Sequence, residues 1–178
     1  MPLRPAAVLL ALTAGLALGA PSAQADTTLP TPTSPPFSIV NLDSEKCLEV
    51  ADWRTDDGAP VRQWKCTGGA NQQWYWTADR TLVNVHSGTC LDIPGYSTAP
   101  GTQPVIWRCN GGTNQQWTEQ PMHSGTRRYA NVASALVLDV AFGAKYDGAP
   151  VIQWNPIETP VAYNQIWFPG DFTPGPRN

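Results

Sequence analysis

Cys90-Leu91-Asp92-Ile93, followed by Gly101, Trp107-Arg108-Cys109 and Asn114-Gln115-Gln116-Trp117, is the stretch on which the reading of this chain turns. Its landmarks recur upstream and downstream. The acidic position is Glu49, Asp92 and Asp139, and a tryptophan follows 15 residues later each time, at Trp64, Trp107 and Trp154. A glycine precedes that tryptophan by six residues, at Gly58, Gly101 and Gly148. The blocks close on Asn71-Gln72-Gln73-Trp74, Asn114-Gln115-Gln116-Trp117 and Asn164-Gln165-Ile166-Trp167. Offsets of 43 and then 47 to 50 residues separate the copies, the extra residues falling around Ala144 and between Trp154 and Asn164. A fixed period of this length marks one supersecondary unit used three times.

Between the landmarks no amphipathic pattern is long enough for a helix. Short runs such as Phe37-Ser38-Ile39-Val40-Asn41, Thr81-Leu82-Val83-Asn84-Val85 and Leu136-Val137-Leu138-Asp139-Val140 are rich in strand formers and bounded by Gly, Pro, Asn and Asp. The class is therefore all-β, with a folded body over 37–168 and units of about 37–79, 80–124 and 125–168.

The ends read differently. Arg4, the nearly unbroken apolar run from Ala6 to Ala20, and Ala23-Gln24-Ala25 together form an export signal over 1–25 with a small-residue cleavage site. No later run approaches the roughly 20 apolar residues of a membrane span. Residues 26–36 form a Pro/Thr-rich extended spacer, and 169–178 a flexible polar tail. Removal of 25 residues from 178 leaves 153, enough for one domain with a core, and takes the formal charge from -3 to -4 with the loss of Arg4. Mild acidity excludes the basic patch that nucleic acid or anionic lipid requires. With 14% charged residues but 8 Trp, 15 Gly and 18 Pro, the surface is aromatic and hydrogen-bonding.

Four cysteines in an exported chain imply two disulfides, with three pairings open. The repeat selects Cys47 with Cys66 and Cys90 with Cys109, each 19 residues apart and at the same place in its unit. In the third copy these positions are Val137 and Pro156, so both partners are absent together. Each bridge contributes roughly 3 kcal/mol by loop-closure reasoning.

The three Gln-x-Trp motifs (Gln72/Trp74, Gln115/Trp117, Gln165/Trp167), the asparagines before them and the Cys-Leu-acid-Val/Ile blocks resemble the ricin B-type lectin family, also met as carbohydrate-binding modules attached to secreted glycosidases. The resemblance covers the whole folded body. It implies a β-trefoil of three four-stranded units with pseudo-threefold symmetry. It also separates two sets of tryptophans: Trp74, Trp117 and Trp167 match core positions, whereas Trp64, Trp107 and Trp154 match the aromatic beneath a sugar ring.

The chemistry of such a site follows from the ligand. A sugar presents a face of C–H groups and a rim of hydroxyls, so it calls for a flat apolar platform and fixed polar partners. A carboxylate accepts from two adjacent hydroxyls, and an amide donates and accepts. Asp92, Trp107 and Asn114 meet this specification, with Gln115 orienting and Tyr96 at the rim. Asp139, Trp154, Asn164 and Gln165 form the third set, which lacks the disulfide and has three extra residues between Trp and Asn. The first set, Glu49, Trp64, Asn71 and Gln72, has Glu where the resemblance implies Asp, and ranks last. Many relatives carry Gln two residues before the platform, where this chain has Arg62, Val105 and Ile152. Gln63 and Gln153 sit one residue later and, by strand alternation, point to the other face.

No His-Glu-x-x-His motif and no dense cluster of titratable residues points to catalysis or a metal; His86 and His123 are solitary, and Gly95-Tyr96-Ser97-Thr98-Ala99 lacks the strand-turn-helix setting of a nucleophile elbow. The expectation is a secreted, extracellular, monomeric, non-catalytic lectin that binds glycans or polysaccharides, with no cofactor, no metal, no nucleic acid and no membrane insertion. The alternative is a secreted β-trefoil module that binds protein, such as a protease inhibitor or an adhesion subunit.

Overall fold

A computed structural model describes residues 29–170. The export signal expected over 1–25 and positions 171–178 of the expected tail lie outside the described residues.

Three consecutive four-strand units make up the structure. The first holds β1 (Phe37–Asn41), β2 (Cys47–Val50), β3 (Ala59–Trp64) and β4 (Gln73–Trp76). The second holds β5 (Leu82–Asn84), β6 (Cys90–Asp92), β7 (Val105–Trp107) and β8 (Trp117–Pro121). The third holds β9 (Arg127–Asn131), β10 (Val137–Val140), β11 (Val151–Trp154) and β12 (Trp167–Gly170). Helical content among the described residues is limited to single 3₁₀ turns.

All named pairings are antiparallel. The outer strands of the units close a six-stranded barrel in the order β1, β4, β5, β8, β9 and β12, with the Thr81–Gln116 bridge joining the β5 and β8 ends. The inner strands form the hairpins β2–β3, β6–β7 and β10–β11. These hairpins meet one another: Ala59 pairs with Ile106, Arg62 bridges to Pro150, and Gln153 N–H donates to the Thr102 carbonyl. The architecture is a β-trefoil, and its closed ring of strands leaves no long edge unpaired.

The core lies on the pseudo-threefold axis. Trp74, Trp117 and Trp167 are 0–1% exposed, and each indole N–H donates to the carbonyl of the leucine just before the acidic position: Leu48 at 3.1 Å, Leu91 at 3.0 Å and Leu138 at 3.1 Å. A buried indole needs such an acceptor, because an unpaired N–H in the interior is costly. The Gln-x-Trp tryptophans are thus core residues.

A second threefold set escaped the sequence reading. Asn41, Asn84 and Asn131 end the first strand of each unit. Each amide donates to the backbone carbonyls of the preceding unit's closing motif, namely Asn164, Asn71 and Asn114 in turn. Each Oδ1 accepts from the backbone N–H two residues on, at Asp43, His86 and Ala133. The signal was available as an Asn-x-x-Ser recurrence, at Asn41/Ser44, Asn84/Ser87 and Asn131/Ser134.

Both expected disulfides are present, Cys47–Cys66 and Cys90–Cys109, with Cα atoms 5.1 Å apart in each. The ends differ from expectation. Within the expected spacer, Pro32 bridges to Thr77, Thr33 N–H donates to the Trp76 carbonyl at 2.7 Å, and the Ser34 hydroxyl accepts from Trp76 N–H. This segment adds backbone pairing to β4 instead of standing free. Pro169 and Gly170, assigned to the tail, pair with Ile39 and Ser38 in β12.

Candidate functional site

The geometry of each candidate site starts from a two-residue strand register. In the inner hairpins Glu49 pairs across from Arg62, Asp92 from Val105 and Asp139 from Ile152. Residues directly opposite on an antiparallel pair share a face, as do residues two apart on one strand. The acid, its opposite residue and the platform tryptophan therefore belong to one surface in every unit. Gln63 and Gln153 belong to the other. Each is fully buried, accepts from a serine hydroxyl (Ser44, Ser134) and donates to carbonyls of a neighbouring unit.

Behind each acid stands the same pair of amides. Asn114 Nδ2 donates to Asp92 Oδ2 at 3.0 Å and to the Ile93 carbonyl, while Gln115 Nε2 donates to Asp92 Oδ2 at 2.8 Å and to the Arg108 carbonyl. Gln115 Oε1 accepts from Asn110 N–H, which ties down the loop after the platform. Gln115 thus has both amide hydrogens and one acceptor position engaged within the protein. Asn71 and Gln72 repeat the arrangement on Glu49 Oε2 at 3.3 and 2.9 Å, whereas in the third unit Asn164 donates to Asp139 Oδ1 at 3.0 Å and Gln165 to Oδ2 at 2.8 Å. Asp92 Oδ1 has no protein partner among the described residues, and Trp107 and Trp154 are each 38% exposed.

The platforms rest on the neighbouring unit. A Cβ placed on Gly58 would lie 3.8 Å from the Trp107 ring, one on Gly101 3.7 Å from Trp154, and one on Gly148 3.4 Å from Trp64. The recurring glycine thus packs under the tryptophan of the following unit in cyclic order, and its positive φ, 87 to 90° at the three positions, needs a residue without a side chain. Asp57 and Asp147, just before two of these glycines, reinforce the same junctions by accepting the backbone N–H groups of Arg108 and Lys65.

The sites then diverge. In the first, Glu49 Oε1 accepts from Arg62 Nε at 3.0 Å, Arg62 also donates to Asp52, and the guanidinium carbon lies 4.5 Å from the centre of the Trp64 ring. Arg62 thus covers both the carboxylate and the platform. In the second, the residue opposite the acid is Val105, which places no ion partner on the carboxylate; Tyr96 is half exposed, and its hydroxyl lies against Gly112 beside Asn114. Asn71 Oδ1 and Asn114 Oδ1 are buried without a partner among the described residues, tucked against Gly69 and Gly112. In the third, Asn164 is only half buried and lines a cleft of about 420 Å³ together with Asp139 and Trp154. The three extra residues before Asn164 accompany this wider opening.

Burial raises the carboxyl pKa of Asp92, opposed by the Gln115 and Asn114 hydrogen bonds, and raises that of Asp139 from 3.8 to about 6. Between about pH 4 and 6 the folded chain therefore holds a proton on Asp139 that the unfolded chain has released, so this group lowers stability as the pH rises through that window. Asp139→Asn is expected to flatten that part of the profile of thermal unfolding midpoint against pH; an unchanged slope would remove Asp139 as its source.

His86 and His123 are exposed; the His86 ring lies edge-on to Trp53 at 4.9 Å. No group of three or more His, Cys, Asp or Glu side chains among the described residues could hold a metal ion, and no helix among them is long and apolar enough to cross a membrane.

Comparison with known proteins gives a consistent picture. The family model for the ricin-type beta-trefoil lectin domain matches residues 35–167. A designed threefold-symmetric protein, ThreeFoil, superposes with a TM-score of 0.71 at 34% identity, over 77% of this chain and 99% of its own. The exo-beta-1,3-galactanase 1,3Gal43A from Clostridium thermocellum superposes with a TM-score of 0.72 at 30% identity, over 78% of this chain but 30% of the galactanase. Among curated proteins, serine protease 1 of Rarobacter faecitabidus is 43% identical over 37 residues, which is 21% of this chain and 7% of the protease.

Proposed function

The chain belongs to the ricin-type β-trefoil lectin family, and from that premise we propose that it is an exported, non-catalytic lectin that binds glycans at its second and third sites. The observation that carries this reading is the pairing of a buried, amide-held carboxylate with a half-exposed tryptophan on the same face, at Asp92/Trp107 and Asp139/Trp154. The carboxylate accepts from two neighbouring hydroxyls, and the indole takes the C–H face of the ring. Asn114, Gln115, Asn164 and Gln165 hold the carboxylates in place, so that little ordering is left to do when the sugar arrives. Two shallow sites on one rigid body suit a polymeric or clustered ligand through avidity. Two disulfides and the N-terminal apolar segment favour an oxidising, extracytoplasmic setting.

A glycan and polysaccharide array probed with the folded chain tests the reading. Because the galactanase relative acts on β-1,3-galactan, as its name states, that polymer belongs in the first panel. Binding to at least one glycan class is expected. A blank array with correctly folded protein would remove the lectin reading and turn attention to protein partners.

The first site should be silent, because Arg62 already satisfies Glu49 and stacks on Trp64. Arg62→Val, which installs the residue of the second unit, is expected to add a weak site, raising the stoichiometry for a monovalent sugar in calorimetry from two to three. An unchanged stoichiometry of two would show that Arg62 is not what closes it.

A further inference from the structure

The three sites share a floor but not their walls. Three wall positions can be compared, at the acid plus three, the platform minus two and the platform plus three. In the first unit they are Asp52, Arg62 and Thr67; in the second, Gly95, Val105 and Asn110; in the third, Phe142, Ile152 and Ile157. The first and third sets line clefts around Glu49 and Asp139 respectively. One scaffold thus carries one charged, one small and one wholly apolar wall.

Phe142 is the residue that most needs explaining. It is fully exposed at 103% of its reference surface and holds φ at 58°, in the left-handed region that disfavours a bulky side chain. The second unit has glycine at that position, also left-handed at φ 64°. Packing within the fold therefore gives no reason for phenylalanine, and the backbone there would favour glycine. Phe142 instead lines the same cleft as Trp154, with Ile157, 37% exposed, on the loop that follows the platform. An apolar cleft left open to water gains free energy when an apolar group fills it. The polar floor of Asp139 and Asn164 makes the expected occupant a sugar, not a lipid or an apolar peptide.

We propose that the third site selects a sugar unit bearing an apolar substituent, with the ring hydroxyls at Asp139, the ring face on Trp154 and the substituent lodged among Phe142, Ile152 and Ile157. The second site, walled by Gly95, Val105 and Asn110, takes the unsubstituted sugar. The inference rests on the lectin reading and deepens it. It makes the chain a reader of two different features on one glycan.

The test uses paired methyl and 4-nitrophenyl β-glycosides of galactose, glucose and xylose, with calorimetry or ligand-observed NMR. Asp92→Ala isolates the third site and Asp139→Ala the second. Burial of an aryl ring at about 25 cal/mol per Å² corresponds to roughly tenfold or more in affinity. The 4-nitrophenyl glycoside should therefore bind the third site at least about tenfold more tightly than its methyl partner, and the second site about equally. Adding Phe142→Gly and Ile157→Asn, the second unit's residues, to Asp92→Ala should bring the ratio to about one. Phe142→Gly alone should leave thermal stability unchanged or higher, whereas a structural role would lower it.

Equal affinities at the third site, or the same aryl preference at both sites, overturn the inference and leave the lectin reading intact. A glycan array that is positive while every glycoside pair fails at the third site has the same consequence. An array and pairs that are all blank overturn both.

Discussion

Asp92→Ala combined with Asp139→Ala is expected to abolish glycan binding, while either change alone leaves one class of site working. Each carboxylate is the charged acceptor at its site, and a hydrogen bond to a charged group is worth about 1.5–3 kcal/mol. Loss of two such bonds per site weakens binding by at least roughly 100-fold, which for a shallow site means no measurable affinity. The alanines also strand the amides that held the carboxylates, Asn114 and Gln115 on one side, Asn164 and Gln165 on the other. That cost in stability is moderated because burial already opposes the charge on both acids. Array binding, with circular dichroism and thermal unfolding to show that the variants fold, decides the matter. Residual binding in the double variant would place the ligand elsewhere on the surface. Complete loss with Asp92→Ala alone would leave the second site as the only working one.

The largest effect on folding is expected from Trp117→Ala. Its side chain is 1% exposed and its indole N–H pairs with the Leu91 carbonyl. Removal of a buried tryptophan costs about 3–5 kcal/mol through lost burial and the cavity left behind, a large part of the ordinary 5–15 kcal/mol of a domain. Urea unfolding should show the midpoint falling sharply or the native state lost. Trp107→Ala, on a residue 38% exposed, should cost about 1 kcal/mol or less of stability and remove binding at the second site. A similar stability loss for the two variants would contradict the division into core and platform tryptophans.

That the tryptophans form two sets was legible from spacing alone, whereas the assignment of one set to the core and the other to the platforms rested on the resemblance to the lectin family. Three closing tryptophans recur one residue beyond Gln-Gln or Gln-Ile, and three platforms recur 15 residues after an acid, so neither set depends on where the chain bends. The disulfide pairing was legible for the same reason, as was the placement of Gln63 and Gln153 on the face opposite the platform, since alternation along a strand is a local property. The role of Arg62 was only half legible. Its departure from the expected Gln was plain, but its bond to Glu49 depends on the cross-strand register, which joins residues 13 apart. The Asn41, Asn84 and Asn131 set recurs in the sequence, but asparagine at a strand end reads as ordinary turn chemistry, so its bonds across the unit junctions are not legible there.

By itself the sequence determined that there are three units, which cysteines pair, which tryptophans repeat together and which residues share a strand face, all of them consequences of spacing and of a two-residue period. Only the tertiary structure decided that each platform rests on a glycine of the preceding unit, that residues 32–34 join β4, that Arg62 bonds Glu49 and lies over Trp64, and that Phe142 and Ile157 line one cleft in the third unit. The physical reason is common to all four. Each depends on which segments meet across strands or units, through the β2–β3 register for Arg62 and across the unit junctions for the glycines, and spacing along a single strand does not fix either.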